Sequence, residues 1–304
     1  MNKSAEVLIV GSGALATLFA GRLSAAGMPV SMLGSWNEGL AALERDGAVL
    51  VNPNGQEQSY PVRILNYSGP AKPFKFALVL VKSWQTRLVA EILPAYIQQD
   101  GLALTLQNGL GNREILEKWL GSERVAQGVT TLGGTLLGPG CVRLGGEGAL
   151  SVEAHPRFGP LADLLRQAGF QVNIVPEATP LVWGKLVVNS GINPLSAVLR
   201  VTNGELLQHP ARRYLLAELA RETAALAVAR GITLPYPDPV LAAEEVARRT
   251  GSNRSSMLQD VLRGAPTEIE SISGAIFRLG QTIGQATPLN ACMYRLVQAL
   301  TPAV

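Results

Sequence analysis

The chain has 304 residues, 47% of them hydrophobic, so it can bury a large core, and its length is where single cores give way to two domains. With 26 Lys and Arg against 23 Asp and Glu the formal net charge is +3, and no basic run or basic stripe interleaved with aromatics occurs, which argues against nucleic acid as a partner and for a solvated surface with a local anion site. Cys141 and Cys292, like His155 and His209, stand far apart and outside any spaced pattern, which excludes a disulfide framework and a metal site, fits a reducing cytoplasm, and leaves proton transfer to Lys, Glu or Asp.

Glu6-Val7-Leu8-Ile9-Val10 reads as a buried strand, short, apolar and β-branched. The apolar start is not a signal-peptide core, since Glu6 precedes it, Arg22 follows and two glycines interrupt it. No stretch of about 18 uninterrupted apolar residues occurs, so no membrane span is expected. After the turn Gly11-Ser12-Gly13, helical periodicity runs from Ala14 to Ala26 and stops at Gly27, and Pro29–Leu33 is a second strand. The alternation continues with a strand at Ala77–Val81, a helix from Trp84 to Tyr96, a strand at Leu102–Leu106 and a helix from Asn112 to Leu120. That order predicts a parallel sheet with helices on both faces. Glycine-rich β-like pieces from Val125 to Val152 predict antiparallel edge strands, followed by a helix at Pro160–Ala168 and a strand at Phe170–Val175. Beyond Pro176 strand signals nearly vanish. Helical patterns cover Leu181–Asn189, Arg212–Arg230, Asp238–Arg249, Thr267–Ile283 and Asn290–Leu300. The reading is an α/β domain over 1–177 and an all-helical domain over 178–304.

The first turn carries the clearest chemistry. Gly11 permits the tight exit from the strand, Gly13 lets the backbone approach a pyrophosphate, and Ala16 is the third small residue, where helix and strand pack. The helix N-terminus, through Ser12, Gly13, Ala14 and Leu15, offers free N–H groups and a partial positive charge. With the correct strand before it and helix after it, this is a Rossmann-type dinucleotide-binding turn. At the end of the second strand an NAD site usually carries an acid; Leu33-Gly34-Ser35-Trp36 has none, which favours NADP, although no arginine sits there and the nearest candidate is Arg45.

In the helical region, Lys185, Asn189 and Asn193 fall at i, i+4 and i+8, so on a helix they share one face, where a cation and two amides can hold a carbonyl and a carboxylate. Asn193-Pro194 reads equally as the cap and first residue of a new helix. Ser255 or Ser256 reads as an N-cap, with Gln259 completing a capping box, and Glu268 as a first-turn acid favoured by a helix dipole.

Taken together, Gly11–Ala16, Val81-Lys82-Ser83-Trp84-Gln85, Gln107-Asn108-Gly109-Leu110-Gly111, the Lys185/Asn189/Asn193 helix, Ser255-Ser256-Met257-Leu258-Gln259-Asp260 and Thr267-Glu268-Ile269 resemble the ketopantoate reductase (2-dehydropantoate 2-reductase) family over essentially the whole chain. The resemblance implies a helical domain of the 6-phosphogluconate dehydrogenase C-terminal type and NADPH-dependent reduction of 2-dehydropantoate to (R)-pantoate, on the route to pantothenate and coenzyme A. It implies that Lys185 is the catalytic lysine and Glu268 the glutamate that accepts a bond from the substrate's terminal hydroxyl. Asn189, Asn193 and Ser256, with Asn253 and Asn108, are then substrate-binding, and Lys82 and Asn108 stand beside the cofactor. Binding both ends of the keto acid between the domains excludes water. The rival readings are a reductase of another 2-keto acid, an opine- or imine-type reductase of the same architecture, and a non-catalytic NADP-sensing protein. The partner is a small molecule, and the long helices of the second domain either form a homodimer face or fill that domain's own core.

Overall fold

The computed structural model describes residues 6–65, 73–145 and 148–301. It divides into two compact units: one runs to Gln107 and resumes over Asn112–Ala178, the other joins Asn108–Gly111 to everything from Thr179 onward.

In chain order the first unit contains β1 (Val7–Val10), α1 (Ala14–Ala25), β2 (Val30–Leu33), α2 (Asn37–Asp46), β3 (Ala48–Val51), β4 (Glu57–Tyr60), β5 (Arg63–Leu65), β6 (Phe74–Val79), α3 (Thr86–Ile92), β7 (Ile97–Thr105), α4 (Asn112–Leu120), β8 (Val125–Thr130), β9 (Gly134–Gly138), β10 (Cys141–Leu144), β11 (Ala149–Glu153), α5 (Gly159–Gln167) and β12 (Gln171–Val175). Eight strands form one sheet in the order β12-β11-β8-β7-β6-β1-β2-β5. Neighbours are parallel except β8 and β11, where the direction reverses. The residues of β1 alternate between two cores: Val7 and Ile9 pack with Phe19 and Leu23 on one face, Leu8 and Val10 with Val89 and Leu116 on the other. Burial on both faces explains why the strand reads as a continuous apolar run.

Several elements depart from the sequence reading. The helix expected at Trp84–Tyr96 is α3 flanked by two 3₁₀ turns, the second containing Pro94, and the strand expected at Ala77 starts at Phe74. Helix α2 and strands β3 to β5 lie in a stretch where no element was expected. Only β11 and the β9–β10 hairpin are antiparallel within Val125–Val152, since β8 runs parallel to β7. The hairpin joins β3 and β4 in a second, four-stranded sheet of order β4-β3-β10-β9. This sheet covers α1: a Cβ on Gly21 would stand 2.7 Å from the Leu50 side chain, so glycine there lets helix and small sheet meet.

The second unit contains α6 (Thr179–Leu199), α7 (Pro210–Ala229), α8 (Pro239–Arg249), α9 (Ser256–Leu262), α10 (Ser273–Ile283) and α11 (Pro288–Leu300). Helix α6 is the centre, packed against α7, α8, α9 and α11. It runs unbroken through Pro194, so Asn193 caps no new helix and the expected end at Asn189 is corrected. Proline removes only the bond to the Ser190 carbonyl, and the burial of Ile192 through Ala197 on all sides outweighs that loss. Likewise α10 begins at Ser273 rather than Thr267, so Glu268 lies in the turns before the helix and is no first-turn acid. Among the described residues no helix is long and apolar enough to cross a membrane.

Candidate active site

In the first unit two glycines of the opening turn do different work. Gly11 has φ +132°, and a Cβ on it would stand 3.0 Å from the Leu80 carbonyl, so the neighbouring strand demands glycine there. A Cβ on Gly13 would meet nothing within 4 Å: the space before it is open. Gly13 is the N-cap of α1, no side chain caps the helix, and its first turn holds no acid. The leading amides of α1 therefore present an uncompensated positive dipole end to that space. Ser12, only 5% exposed, has no hydrogen-bond partner for its hydroxyl among the described residues. Ala14 and Leu15 are half-buried and Ala16 is buried. An open cradle lined with backbone N–H groups and an unengaged hydroxyl fits a dinucleotide pyrophosphate.

Beside this turn, the Leu80 N–H donates to the Val10 carbonyl (2.8 Å), which brings half-buried Lys82 to the same end of the sheet. A buried polar chain fixes that end. Gln107 Nε2 donates to the Val81 carbonyl (2.9 Å) and the Thr86 hydroxyl (2.8 Å), and Thr86 Oγ1 donates to Asn112 Oδ1 (2.8 Å). The sequence reading missed this chain because its members come from three separate segments. At the end of β2, Gln85 Nε2 donates to Ser35 Oγ (2.7 Å). Arg45, the arginine considered for that turn, instead sits in the last turn of α2, about 12 Å along the helix from its first residue, and pairs with Asp46 at 2.5 Å. An acid not anticipated there, Glu38, occupies the first turn of α2.

In the second unit Lys185, Asn189 and Asn193 form a polar stripe on α6. The residues around it, from Trp183 to Leu195, are otherwise buried. Lys185 and Asn189 are half-buried, Asn193 is 7% exposed, and neither asparagine amide has a partner among the described residues. Burial pulls the Lys185 ammonium down from its ordinary value to about 8, while the nearby Glu268 carboxylate pushes it the other way. Glu268 is itself buried, 5% exposed, and its Oε2 accepts from Asn108 Nδ2 at 3.0 Å. The loop carrying Asn108 is held by Ser271: the Leu110 N–H donates to the Ser271 carbonyl (2.9 Å), and the Ser271 hydroxyl donates to the Glu268 carbonyl (3.0 Å). Gly109, at φ +81°, lies so close to Ser271 that a Cβ would stand 2.4 Å from that carbonyl. Tyr236, also unforeseen, donates its hydroxyl to the carbonyl of Gly184, next to Lys185, at 2.8 Å. Burial pushes this phenol well above its ordinary value, so it stays a donor.

Thus Lys185, Glu268 and Asn108 come together, with Asn189 and Asn193 on the lysine's helix. The two serines resolve differently from each other. Ser255 is the N-cap of α9, accepting from the Leu258 N–H at 3.1 Å, and is buried; Ser256 is exposed. Gln259 completes no capping box, since it lies one residue too far along and donates to the Arg254 carbonyl. Asn253 is exposed and engaged through its backbone, its carbonyl accepting from the Asn203 N–H at 3.0 Å. No group of three or more His, Cys, Asp or Glu among the described residues is arranged to hold a metal ion.

The family described as Ketopantoate reductase PanE/ApbA matches residues 7–157, and its C-terminal counterpart matches residues 178–301. The chain belongs to the ketopantoate reductase family. It is 32% identical over 299 residues to the 2-dehydropantoate 2-reductase of Halobacterium salinarum, covering 96% of this chain and 98% of that one. It is 33% identical over 300 residues to the enzyme of the same name from Archaeoglobus fulgidus, with 97% of each covered. Among solved structures, a PanE/ApbA family ketopantoate reductase from Ralstonia eutropha JMP134 superposes with a TM-score of 0.88 at 30% identity, covering 97% of this chain and 98% of that one. A ternary structure of D-mandelate dehydrogenase with NADH and anilino(oxo)acetate superposes with a TM-score of 0.91 at 27% identity, with the same coverage. Ketopantoate reductases and a D-mandelate dehydrogenase therefore share this architecture.

Proposed function

We propose that the protein reduces 2-dehydropantoate to (R)-pantoate with NADPH, a step towards pantothenate. The observation that carries this is the grouping of a depressed lysine, Lys185, with the buried Glu268–Asn108 pair and two unengaged amides on one helical unit, in a chain of the ketopantoate reductase family. A nicotinamide dinucleotide, held by Gly11–Ala16 with Lys82 beside it, supplies a hydride to the C2 carbonyl when bound. As charge grows on the carbonyl oxygen, the Lys185 ammonium stabilises it and gives it a proton. A value of about 8 suits that task, because the group is protonated near neutrality yet donates readily. Glu268 accepts a bond from the terminal hydroxyl of the keto acid, and the Asn108 bond holds its carboxylate in place. Asn189, Asn193 and Ser256, with Asn253, hold the carboxylate end and orient the ketone. NADPH over NADH is supported by the acid-free stretch Gly34-Ser35-Trp36 and opposed by Glu38. The likeness to D-mandelate dehydrogenase favours a second reading, a reductase of a different 2-keto acid.

One assay tests all of this: oxidation of NADPH and of NADH by the purified protein on a panel of 2-keto acids that includes 2-dehydropantoate and benzoylformate. The expected result is the highest kcat/KM for 2-dehydropantoate with NADPH. A preference for benzoylformate establishes the second reading. Turnover that requires an added amine points to an imine reductase, and cofactor binding without turnover on any keto acid removes the enzymatic reading.

A further inference from the structure

The segment after the catalytic face of α6 is clasped to the segment before α9. Ser196 Oγ lies 2.7 Å from Ser255 Oγ and 3.1 Å from the carbonyl of Asn193, one turn back on α6. Both serines are buried, Ser196 completely. Three further bonds extend the clasp: the Asn203 N–H to the Asn253 carbonyl (3.0 Å), the Gly204 N–H to the Gly251 carbonyl (3.0 Å), and Asn203 Nδ2 to Thr250 Oγ1 (2.8 Å). The two segments of the clasp approach so closely that a Cβ on Gly204 would stand 2.9 Å from Gly251 Cα.

This arrangement separates the work of two adjacent serines. Ser255 spends its oxygen on capping α9 and on Ser196, so the hydroxyl left exposed is that of Ser256. The Ser196–Ser255 contact is made one helical turn from Asn193, so it fixes the spacing of Asn193 on α6 from Ser256 on α9.

We propose that Ser196 is a positioning residue for substrate binding: through Ser255 it holds Ser256 and Asn253 at the Asn193 end of the polar stripe, where the carboxylate of a 2-keto acid is gripped. This rests on the reductase reading above. A hydroxyl buried inside a helix whose other residues at this level are apolar otherwise has only its own backbone to bond, and alanine is the better helix former at such a site. Ser196 therefore stands against local preference, and the contact with Ser255 is the interaction it gains.

The test is Ser196→Ala, which leaves the α9 cap and every residue of the polar stripe in place. The expected result is a KM for the keto acid raised about tenfold, the loss of one buried hydrogen bond's worth of alignment, with kcat within about twofold and cofactor Kd unchanged. Amide hydrogen exchange should quicken at 250–256 and stay unchanged in the first half of α6. A purely structural role predicts the reverse split, a lower melting temperature with KM intact, and that result overturns the proposal. So does an unchanged KM with quickened exchange, which shows a clasp that opens without consequence for substrate. Ser255→Ala, which removes the Ser196 contact and the α9 cap together, should raise KM at least as far. Absence of turnover by the wild-type protein on every keto acid instead overturns the reductase reading, and the substrate role of the clasp with it.

Discussion

The candidate cofactor cradle of the first unit is built almost wholly from backbone, whereas the candidate substrate site of the second is built from side chains. Around Gly13 there is open space, a row of helix amides and one hydroxyl. On α6 and around Glu268 there are an ammonium, a carboxylate and three amides, set by contacts among residues 108, 185 and 268. A backbone site is insensitive to most side-chain changes and fails when a glycine gains a side chain. A side-chain site fails when one group is removed, and its protonation depends on the others.

The largest expected effect falls on the second unit. Lys185→Ala should lower kcat by about 10³-fold, as removal of a proton donor and oxyanion partner does, while cofactor Kd stays near the wild-type value. Wild-type turnover in that variant ends the role assigned to the lysine. Next come the two glycines, which should separate cleanly. Gly13→Val should raise cofactor Kd about 10- to 100-fold without lowering the melting temperature, because its side chain fills only the open cradle. Gly11→Ala should instead cost about 1–3 kcal/mol of stability, from positive φ and the Leu80 carbonyl. If both variants merely unfold, the cradle is not a backbone site.

A smaller effect tests the coupling of the side chains. With Lys185 titrating near 8, the protonated donor is lost as pH rises through that value, so the reduction rate should fall on the alkaline side. Glu268 raises the lysine, so Glu268→Gln should move that alkaline limb to lower pH and raise keto-acid KM about tenfold. An unmoved limb in the full pH–rate profile means that the two groups do not communicate. Smallest of all, Tyr236→Phe removes the bond to the Gly184 carbonyl and should cost about 1 kcal/mol in a denaturant titration, with kcat little altered.

Legibility followed the same division. The β1–turn–α1 unit was readable because strand, glycine turn and helix are contiguous, and each has a local period or punctuation. Strands β4 and β5 were not, since short, largely exposed elements such as Glu57–Tyr60 have no buried face to impose a pattern, and α2 and β3, which do bury residues, are too short to set a period of their own. Pro194 and Thr267 misled for related reasons. A proline is a strong local stop, yet burial of α6 on all sides carries the helix past it. The stretch Thr267–Ile272 has helical composition, yet its backbone is taken up in turns, with the Ser271 and Ile272 N–H groups both directed to the Glu268 carbonyl.

By itself the sequence determined that a parallel α/β domain opening on a glycine turn precedes a helical one, and that Lys185, Asn189 and Asn193 share a helix face, because these features depend on residues within a few turns of each other. Only the tertiary structure decided that Asn108 bonds Glu268 across 160 positions of chain, that Ser255 is the cap and Ser256 the exposed neighbour, and that burial lowers the lysine. Each of those depends on which surfaces meet once the cores form, and on the desolvation that follows, neither of which is encoded in local spacing.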